Sequence, residues 1–178
     1  MTGLQVELLY GVLPEYDVIT RSAKVINTEE DKIRLTKAQA ACIDFLHGEF
    51  DVISFYGRHA MERNMQRTSV GHGAFVIGSR RGTSSHQYNP MLILAEKETT
   101  EDAGICYGMS FVYSGGFKAE VEKDQFGQTR MQMGLQEEQF SYPLKKGEEF
   151  VIPEVILTCS NQGLEKLSQN LQRCIRKN

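Results

Sequence analysis

The sequence predicts an all-β sandwich that ends in one amphipathic helix. Short runs of β-branched and aromatic residues, separated by Gly, Pro, Asn and Asp, recur along most of the 178 residues at the spacing expected of sandwich strands. Between Phe117 and Lys123, apolar residues alternate with charged ones, which is the two-residue period of a half-buried strand. The last stretch of the chain changes to a helical period, so the helix is expected there.

The clearest strand signals fill the chain from its start to residue 159. In chain order, the predicted strands are Leu4–Leu13, Asp17–Ile26, Ala38–Asp44, Asp51–Tyr56, Phe75–Ser79, Met91–Ala95, Ile105–Tyr113, Phe117–Lys123, Thr129–Leu135, Phe140–Leu144 and Phe150–Cys159. The connection Asp124–Gln128 has hairpin length and contains Gly127, which can accept a positive φ. Residues 117–135 are therefore predicted to form one hairpin.

The carboxy-terminal helix is predicted from apolar residues at helical spacing, which are Leu164, Leu167, Leu171 and Ile175. Ser160 or Asn161 could cap its start, and the helix is expected to run to Lys177-Asn178. We therefore divide the chain into a sandwich over residues 1–160 and a helix over residues 161–178. Both termini favour a piece of a longer polypeptide, and we expect the apolar helix face to pack partly on a further domain.

Composition excludes several classes of partner. Lys+Arg total 20 and Asp+Glu total 23, so the net charge of −3 argues against a broad nucleic-acid interface. No apolar run approaches the ~18 residues that a membrane span needs. The 4 cysteines form no CxxC pair and no signal-peptide pattern opens the chain, so we expect reduced thiols and a cytoplasmic protein.

Motifs for metal binding or nucleophilic catalysis are not present in the sequence. The 4 histidines, including His47 and His72, are far apart and form no HExxH spacing, so no metal site is predicted. No GxSxG elbow occurs, and Gly71–Gly73 is interpreted as a tight turn rather than a phosphate loop. The acidic runs Glu29–Asp31 and Glu137–Glu138 are interpreted as solvated turns.

The most unusual stretch is the long polar segment Ser79–Pro90 between two apolar strands. Its guanidinium, hydroxyl, imidazole and amide groups could donate hydrogen bonds to sugar hydroxyls, or to a carboxylate across an interface. They could equally brace the loop against backbone carbonyls. Long structured loops are often functional, so both interpretations stay open.

A resemblance to glycoside hydrolase family 36, and to its bacterial α-galactosidases, rests on motifs spread over nearly the whole chain. In chain order they are Tyr16–Ala23, Gly57–Arg63, Gly71–Gly73, Ser79–Pro90, Tyr107-Gly108, Val112–Gly115, Glu122–Gly127, Pro153–Val155 and Ser160–Leu164. The resemblance implies the later part of a galactose-mutarotase-like β-supersandwich. The helix over 161–178 would then link this sandwich to a (β/α)₈ barrel that carries both catalytic Asp residues.

The resemblance also implies a function for the parent enzyme. The parent would remove terminal α-galactose from melibiose- or raffinose-type sugars with retention, without a cofactor or metal, and would form a homo-oligomer. No catalytic residue is expected in this chain, whose partners would be its own catalytic barrel and α-galactoside sugars. The positions expected at the rim of the substrate pocket are His59, Arg80, Arg81 and His86.

One expected rim residue departs from the pattern of the family. At the position of His59 the family can have a Trp that helps to wall the galactose pocket. Two other interpretations remain: a stand-alone carbohydrate-binding module, which the Trp count of 0 disfavours, and a subunit-interaction domain without sugar contact.

Overall fold

The computed structural model describes residues 3–138 and 140–177. Their elements are β1 (Leu4–Leu13), a 3₁₀ turn (Pro14–Tyr16), β2 (Val18–Asn27), β3 (Ile33–Leu35), β4 (Gln39–Phe45), β5 (Phe50–Arg58), β6 (Met61–Ser69), β7 (Gly73–Gly78), β8 (Tyr88–Glu96), β9 (Cys106–Phe111), β10 (Phe117–Lys123), β11 (Thr129–Leu135), β12 (Tyr142–Leu144), β13 (Glu149–Ser160) and α1 (Gly163–Lys177). Asn178, where the helix was expected to end, lies outside the described residues.

The strands form two packed antiparallel sheets and a small third one. The large sheet has seven strands in the order β1-β2-β13-β9-β8-β5-β6, and the smaller has four in the order β4-β11-β10-β7. Strands β12 and β3 form a separate two-stranded sheet. This arrangement confirms the predicted all-β sandwich with one helix at the carboxy-terminal end.

The main core lies between the two large sheets. Because successive side chains of a strand point to opposite faces, every second residue of the central strands enters this layer. Its fully buried members include Val52, Leu92, Leu94 and Met109 from the large sheet and Phe117, Val121, Met131 and Met133 from the small one. The alternation of Phe117–Lys123 therefore reflects a half-buried strand, as predicted, with its apolar residues in the core and its charged residues on the other face.

Helix α1 packs on the opposite face of the large sheet and adds a third layer. Leu164, Leu167 and Leu171 are buried in a second apolar cluster with residues of β5, β8 and β9. Ile175, in contrast, is 66% exposed. Most of the face that we expected to need a further domain is thus covered by the chain's own sheet.

The start of α1 is held by backbone groups rather than by a side-chain cap. The N–H groups of Leu164 and Glu165 donate to the carbonyl oxygens of Thr100 and Glu101, at 3.1 and 3.0 Å. Ser160 Oγ instead accepts the N–H of Gln162, one residue before the helix, at 2.9 Å. The capping prediction is therefore wrong in mechanism, because a neighbouring loop supplies the acceptors.

The strand predictions were accurate where alternation is strong and failed where it is not. Strands β1, β10 and β11 have the predicted bounds, and β10 and β11 form the predicted hairpin with Gly127 at φ 81°. Strands β3 and β6 were not predicted. The polar segment that follows β7 ends earlier than expected, because Tyr88–Pro90 already belong to β8.

Candidate functional site

The loop over residues 79–87 connects β7 to β8 at one end of the sandwich and is braced by its own hydroxyl groups. Ser79, which is 7% exposed, donates from Oγ to the carbonyl oxygen of Thr83 at 2.5 Å. Thr83 Oγ1 and the N–H of Ser84 donate to the carbonyl oxygen of Ser114, at 3.1 and 2.7 Å. The bracing interpretation therefore holds for the hydroxyl groups of this loop.

The charged side chains of the same loop are directed outward. Arg80 is 75% exposed and pairs with Glu138, with 2.5 Å between Nε and Oε2. Arg81 and His86 are also exposed, and their side chains make no hydrogen bond or ion pair with any residue that the structure describes. The loop is thus a braced scaffold that presents hydrogen-bond donors to its surroundings.

His59 lies at the exposed tip of the hairpin between β5 and β6. The turn is tight: Ala60 has φ 63°, and a Cβ on Gly57 would lie 2.4 Å from the carbonyl oxygen of Met61. Only glycine fits at position 57, since the backbone atoms opposite it cannot move away independently. The hairpin therefore fixes where His59 is presented.

The His59 hairpin and the 79–87 loop lie at the same end of the sandwich. Gly57 N–H donates to the carbonyl oxygen of Gln87 at 3.2 Å, and Tyr56 pairs with Tyr88 across β5 and β8. All the sequence-predicted rim residues are thus on connections that meet here, although no side-chain hydrogen bond or ion pair joins His59 to Arg80, Arg81 or His86 in the described residues. The opposite end carries the β10–β11 turn with Phe126, which is 78% exposed.

Three clefts border the 79–87 loop, and Arg80 lines each of them. Their volumes are about 550, 190 and 370 Å³. The largest is also lined by Tyr88, Gln136 and Glu138. Its size falls within the range of small-molecule sites.

The charges in the largest cleft are already paired within the protein. Lys118 Nζ lies 2.7 Å from Glu120 Oε2 and 2.5 Å from Glu137 Oε1. The hydrogen bond from Lys118 lowers the pKa of Glu137, and those to Glu120 and Glu137 raise the pKa of Lys118. The solvated-turn interpretation is therefore wrong for Glu137, whereas Glu29–Asp31 are indeed exposed. A cleft with paired charges suits a neutral, hydrogen-bonding ligand better than an ion.

The clearly shifted carboxyl groups do not have the properties of a glycosidase acid catalyst. Hydrogen bonds from Arg130 and Lys123 lower the pKa of Asp44 and Glu49, respectively. Burial raises the pKa of Asp51, but hydrogen bonds from Lys97, Arg67 and Ser69 outweigh it and lower that pKa overall. A general acid needs a raised pKa, so none of these groups suits that role.

Two further searches cover only the described part of the chain. Among residues 3–138 and 140–177, no three His, Cys, Asp or Glu side chains are grouped so that they could hold a metal ion. Within the same residues, α1 does not meet the length and apolarity that a membrane-crossing helix requires.

Sequence reasoning missed Glu138 and Lys118 as neighbours of the site. Their strand and turn positions carry no motif, and each is brought to Arg80 or Glu137 by strand pairing across the small sheet. The alternation in Phe117–Lys123 does mark Lys118 as a charged residue on the polar face, but its partner Glu137 follows 19 residues later, so the pattern does not indicate the pair.

Comparisons with known proteins place the chain among glycoside hydrolase sequences. A family model described as the glycosyl hydrolase family 36 N-terminal domain matches residues 1–145. The bifunctional α-galactosidase/sucrose kinase AgaSK of Mediterraneibacter gnavus is 64% identical over 173 residues, which are 97% of this chain and 18% of that protein. The α-galactosidase Mel36A of Lactobacillus acidophilus is 41% identical over 99% of this chain and 24% of its own length.

Solved structures agree with the sequence matches. The galactosidase domain of AgaSK superimposes with a TM-score of 0.96 over 98% of this chain and 24% of that domain chain. A variant of the α-galactosidase AgaA from Geobacillus stearothermophilus, solved in complex with stachyose, gives 0.97 at 40% identity over 99% of this chain and 25% of its own. This chain therefore spans between 18% and 25% of the relatives described here.

Proposed function

We infer the function from one premise: the chain belongs to the glycosyl hydrolase family 36 N-terminal domain family. We propose that it is the non-catalytic β-sandwich part of a longer α-galactosidase. The observation that carries this proposal is the 64% identity, over 97% of the chain, to a protein named as an α-galactosidase. Catalysis would then depend on the part of the polypeptide that these 178 residues do not include.

The parent would hydrolyse terminal α-galactosyl groups of melibiose- or raffinose-type sugars with retention. That mechanism needs two carboxyl groups about 5 Å apart, one as nucleophile and one as acid/base, and no metal or cofactor. We assign both to the catalytic barrel of the parent. The lowered pKa values of Asp44, Asp51 and Glu137 support a non-catalytic role for this chain, because ion-paired carboxylates are poor proton donors.

We call the end of the sandwich that carries the His59 hairpin and the 79–87 loop the site end. The role proposed for it is to shape the rim of the galactoside pocket or a subunit contact. His59, Arg80, Arg81 and His86 are exposed on connections that meet at this end, which supports the assignment. The hydroxyl groups brace the loop, so the guanidinium and imidazole groups are the ones that could reach a sugar or a neighbouring subunit.

Three further properties belong to the same proposal. Helix α1 would link the sandwich of residues 1–160 to the barrel, and the parent would form a homo-oligomer. The parent would be cytoplasmic, which the free thiols of Cys42, Cys106 and Cys159 support.

The test is an assay with an aryl α-galactoside on the 178-residue chain and on the polypeptide that its complete gene encodes. We expect turnover from the complete polypeptide and none from the 178 residues. Turnover by the 178 residues that disappears on mutation of one of their acids would contradict the proposal. Calorimetric titration of the chain with galactose separates a carbohydrate-binding module, which would bind, from a purely structural one.

A further inference from the structure

One of the three clefts at the site end combines aromatic and polar side chains. It has a volume of about 370 Å³ and lies between the 79–87 loop and the segment that follows β9. Its lining includes three aromatic and three polar side chains, which are Tyr113, Phe140, Phe150, Arg80, Gln136 and Glu138. We call it the Tyr113 cleft. Apolar walls with a few polar groups are typical of sites for small molecules.

The Tyr113 ring provides a supported aromatic surface in this cleft. A Cβ on Gly115 would lie between 2.3 and 2.5 Å from three atoms of the Tyr113 side chain, so the ring lies directly against Gly115. The core residue Phe111 adds a second support, with its ring centroid 5.5 Å from that of Tyr113. Tyr113 nevertheless remains 42% exposed, and its hydroxyl group has no hydrogen bond to any residue that the structure describes. The sequence contains no Trp, and Tyr113 supplies the kind of aromatic surface on which a sugar ring packs.

Backbone hydrogen bonds fix the walls of the Tyr113 cleft. The carbonyl oxygen of Ser114 accepts two hydrogen bonds from the 79–87 loop, and that of Gly116 accepts the N–H of Gln136 at 3.1 Å. A Cβ on Gly116 would lie 3.1 Å from the carbonyl oxygen of Ser79, so the absence of a side chain leaves space within the cleft. A ligand therefore meets a formed site and does not have to order it.

The polar side of the cleft is an ion pair with unused hydrogen-bonding groups. The side chains of Arg80 and Glu138 are 75% and 50% exposed, and Nε lies 2.5 Å from Oε2. Within residues 3–138 and 140–177, the Nη groups of Arg80 and Oε1 of Glu138 make no hydrogen bond. A hydroxyl group both donates and accepts hydrogen bonds, so neighbouring sugar hydroxyls can accept from the guanidinium while they donate to the carboxylate.

The charges of the 79–87 loop favour an uncharged ligand in this cleft. Arg80 and Glu138 carry opposite charges, and an anion here would be repelled by the carboxylate of Glu138. Arg81, the cation of the loop without an ion pair in the described residues, lines the smallest cleft and not the Tyr113 cleft. The ligand expected here is therefore a neutral molecule with several hydroxyl groups.

We propose that the Tyr113 cleft binds one pyranose ring of an uncharged sugar, packed on Tyr113 and hydrogen-bonded by Arg80 and Glu138. Residues of this chain alone form the site. The inference deepens the proposed function and rests on it for the class of sugar, an α-galactoside. Galactose suits the cleft because its axial C4 hydroxyl leaves the C–H groups of C3, C4 and C5 on one face, and such an apolar face packs on an aromatic ring.

The experiment is a titration of the 178-residue chain with methyl α-galactopyranoside, followed by protein NMR after circular dichroism has verified the fold. We expect saturable shifts at Tyr113, Arg80 and Gln136, and none at Phe126 at the opposite end of the sandwich. Because one ring in an open cleft makes few contacts, the Kd should be on the order of 1 mM. A folded chain without saturable shifts up to about 50 mM sugar overturns the inference.

Two substitutions and one control test the assigned contacts. Tyr113→Ala removes the packing surface and should weaken binding about 10-fold. Arg80→Met keeps the length of the side chain, removes its donors and should weaken binding by a similar factor. Phe126→Ala, the matched control at an exposed aromatic residue, should leave the Kd within about 2-fold. Equal affinity of Tyr113→Ala and the unmodified chain overturns the proposal, as does displacement of the sugar by inorganic phosphate, which would identify an anion site.

Hydroxyl-radical footprinting extends the test to the full-length parent and decides the case where the 178 residues do not fold alone. Methyl α-galactopyranoside should lower the oxidation of Tyr113 about 3-fold and leave that of Phe126 unchanged. Unchanged oxidation of Tyr113, or protection of Tyr113 already without sugar, overturns the inference. An active parent without sugar protection at Tyr113 refutes this inference alone, whereas protection in a parent without α-galactosidase activity refutes the proposed function alone.

Discussion

The contact between Gly108 of β9 and Leu167 of α1 allows a prediction about the effect of Gly108→Ala on the free energy of unfolding. That effect should be destabilising when Leu167 is present and stabilising when Leu167 is replaced by alanine. A Cβ on Gly108 would lie 3.1 and 3.3 Å from the Cδ atoms of Leu167, and 3.3 Å from Thr158 Cγ2. Overpacking of this kind costs about 1–3 kcal/mol, while replacing a strand glycine by alanine returns about 0.5–1 kcal/mol of chain entropy. Gly108→Ala should therefore lower the free energy of unfolding by about 1 kcal/mol.

The second background removes the side chain that creates the crowding. Leu167 is 0% exposed, so Leu167→Ala should cost about 2–5 kcal/mol through lost burial and a cavity. In that background the alanine at position 108 no longer meets the two Leu167 methyl groups, keeps one approach of 3.3 Å to Thr158 Cγ2, and retains its entropic advantage. Gly108→Ala should then stabilise the Leu167→Ala protein, by about 0.5 kcal/mol.

The assay is urea unfolding followed by circular dichroism on the four proteins of the double-mutant cycle. Leu164→Ala is the control background, because Leu164 is also buried in the helix–sheet cluster, at 8% exposed, but does not crowd Gly108. We expect a coupling of about 1–2 kcal/mol with Leu167 and no measurable coupling with Leu164. Additive effects of Gly108→Ala and Leu167→Ala would refute the docking geometry of α1.

Three other predictions concern the hydrogen bonds of Asp51 with Lys97, Arg67 and Ser69, the docking of helix α1, and the site end. Because the folded pKa of Asp51 is held below its ordinary 3.8, its stabilisation is present above that pH and is lost as pH falls through the lowered value. Asp51→Asn should lower stability near neutral pH by about 1–3 kcal/mol and flatten the acid limb of a stability-against-pH curve; an unchanged acid limb would assign that limb to other carboxylates. In hydrogen exchange, residues 164–174 should be protected like β10, and exchange as fast as in a free peptide would show that the helix is undocked. In the full-length parent, His59→Ala should weaken substrate binding or assembly. If the parent keeps its kcat/KM and its oligomeric state after both this change and Arg81→Ala, the 79–87 loop and the His59 hairpin have a structural role only.

Local alternation is what made the strands of the core predictable. Strands β10 and β11 each have one apolar and one polar face, so the seven residues of each strand are enough to identify it from the sequence. Strand β6 has no apolar face, so its extended conformation depends on pairing with β5 and is not encoded by a hydrophobic period. The helix period was equally clear, but its cap was not, since the acceptors for its first N–H groups lie some 60 residues earlier in the chain, at Thr100 and Glu101.

The candidate site was predictable in its residues but not in its assembly. The polar 79–87 loop stands out by composition, and His59 stands out only through the family resemblance. Their meeting at one end depends on the Gly57 N–H bond to the carbonyl oxygen of Gln87 and on the register of β5 and β8. Register is set by the whole sheet, so a local window of sequence does not contain it.

Strand β1 shows the opposite relation between sequence and structure, and this makes it informative. Its bounds were predicted correctly because its residues alternate as those of a half-buried strand do, yet Val6, Leu8 and Val12 are at least half exposed. Alternation records which residues of a strand share a face, and the pairing of β1 with β2 places Val6 and Leu8 on the face of the core residues Val25 and Ala23. It does not record which strands of the opposite sheet lie over that face, so the exposure of β1 could not be predicted from its own ten residues.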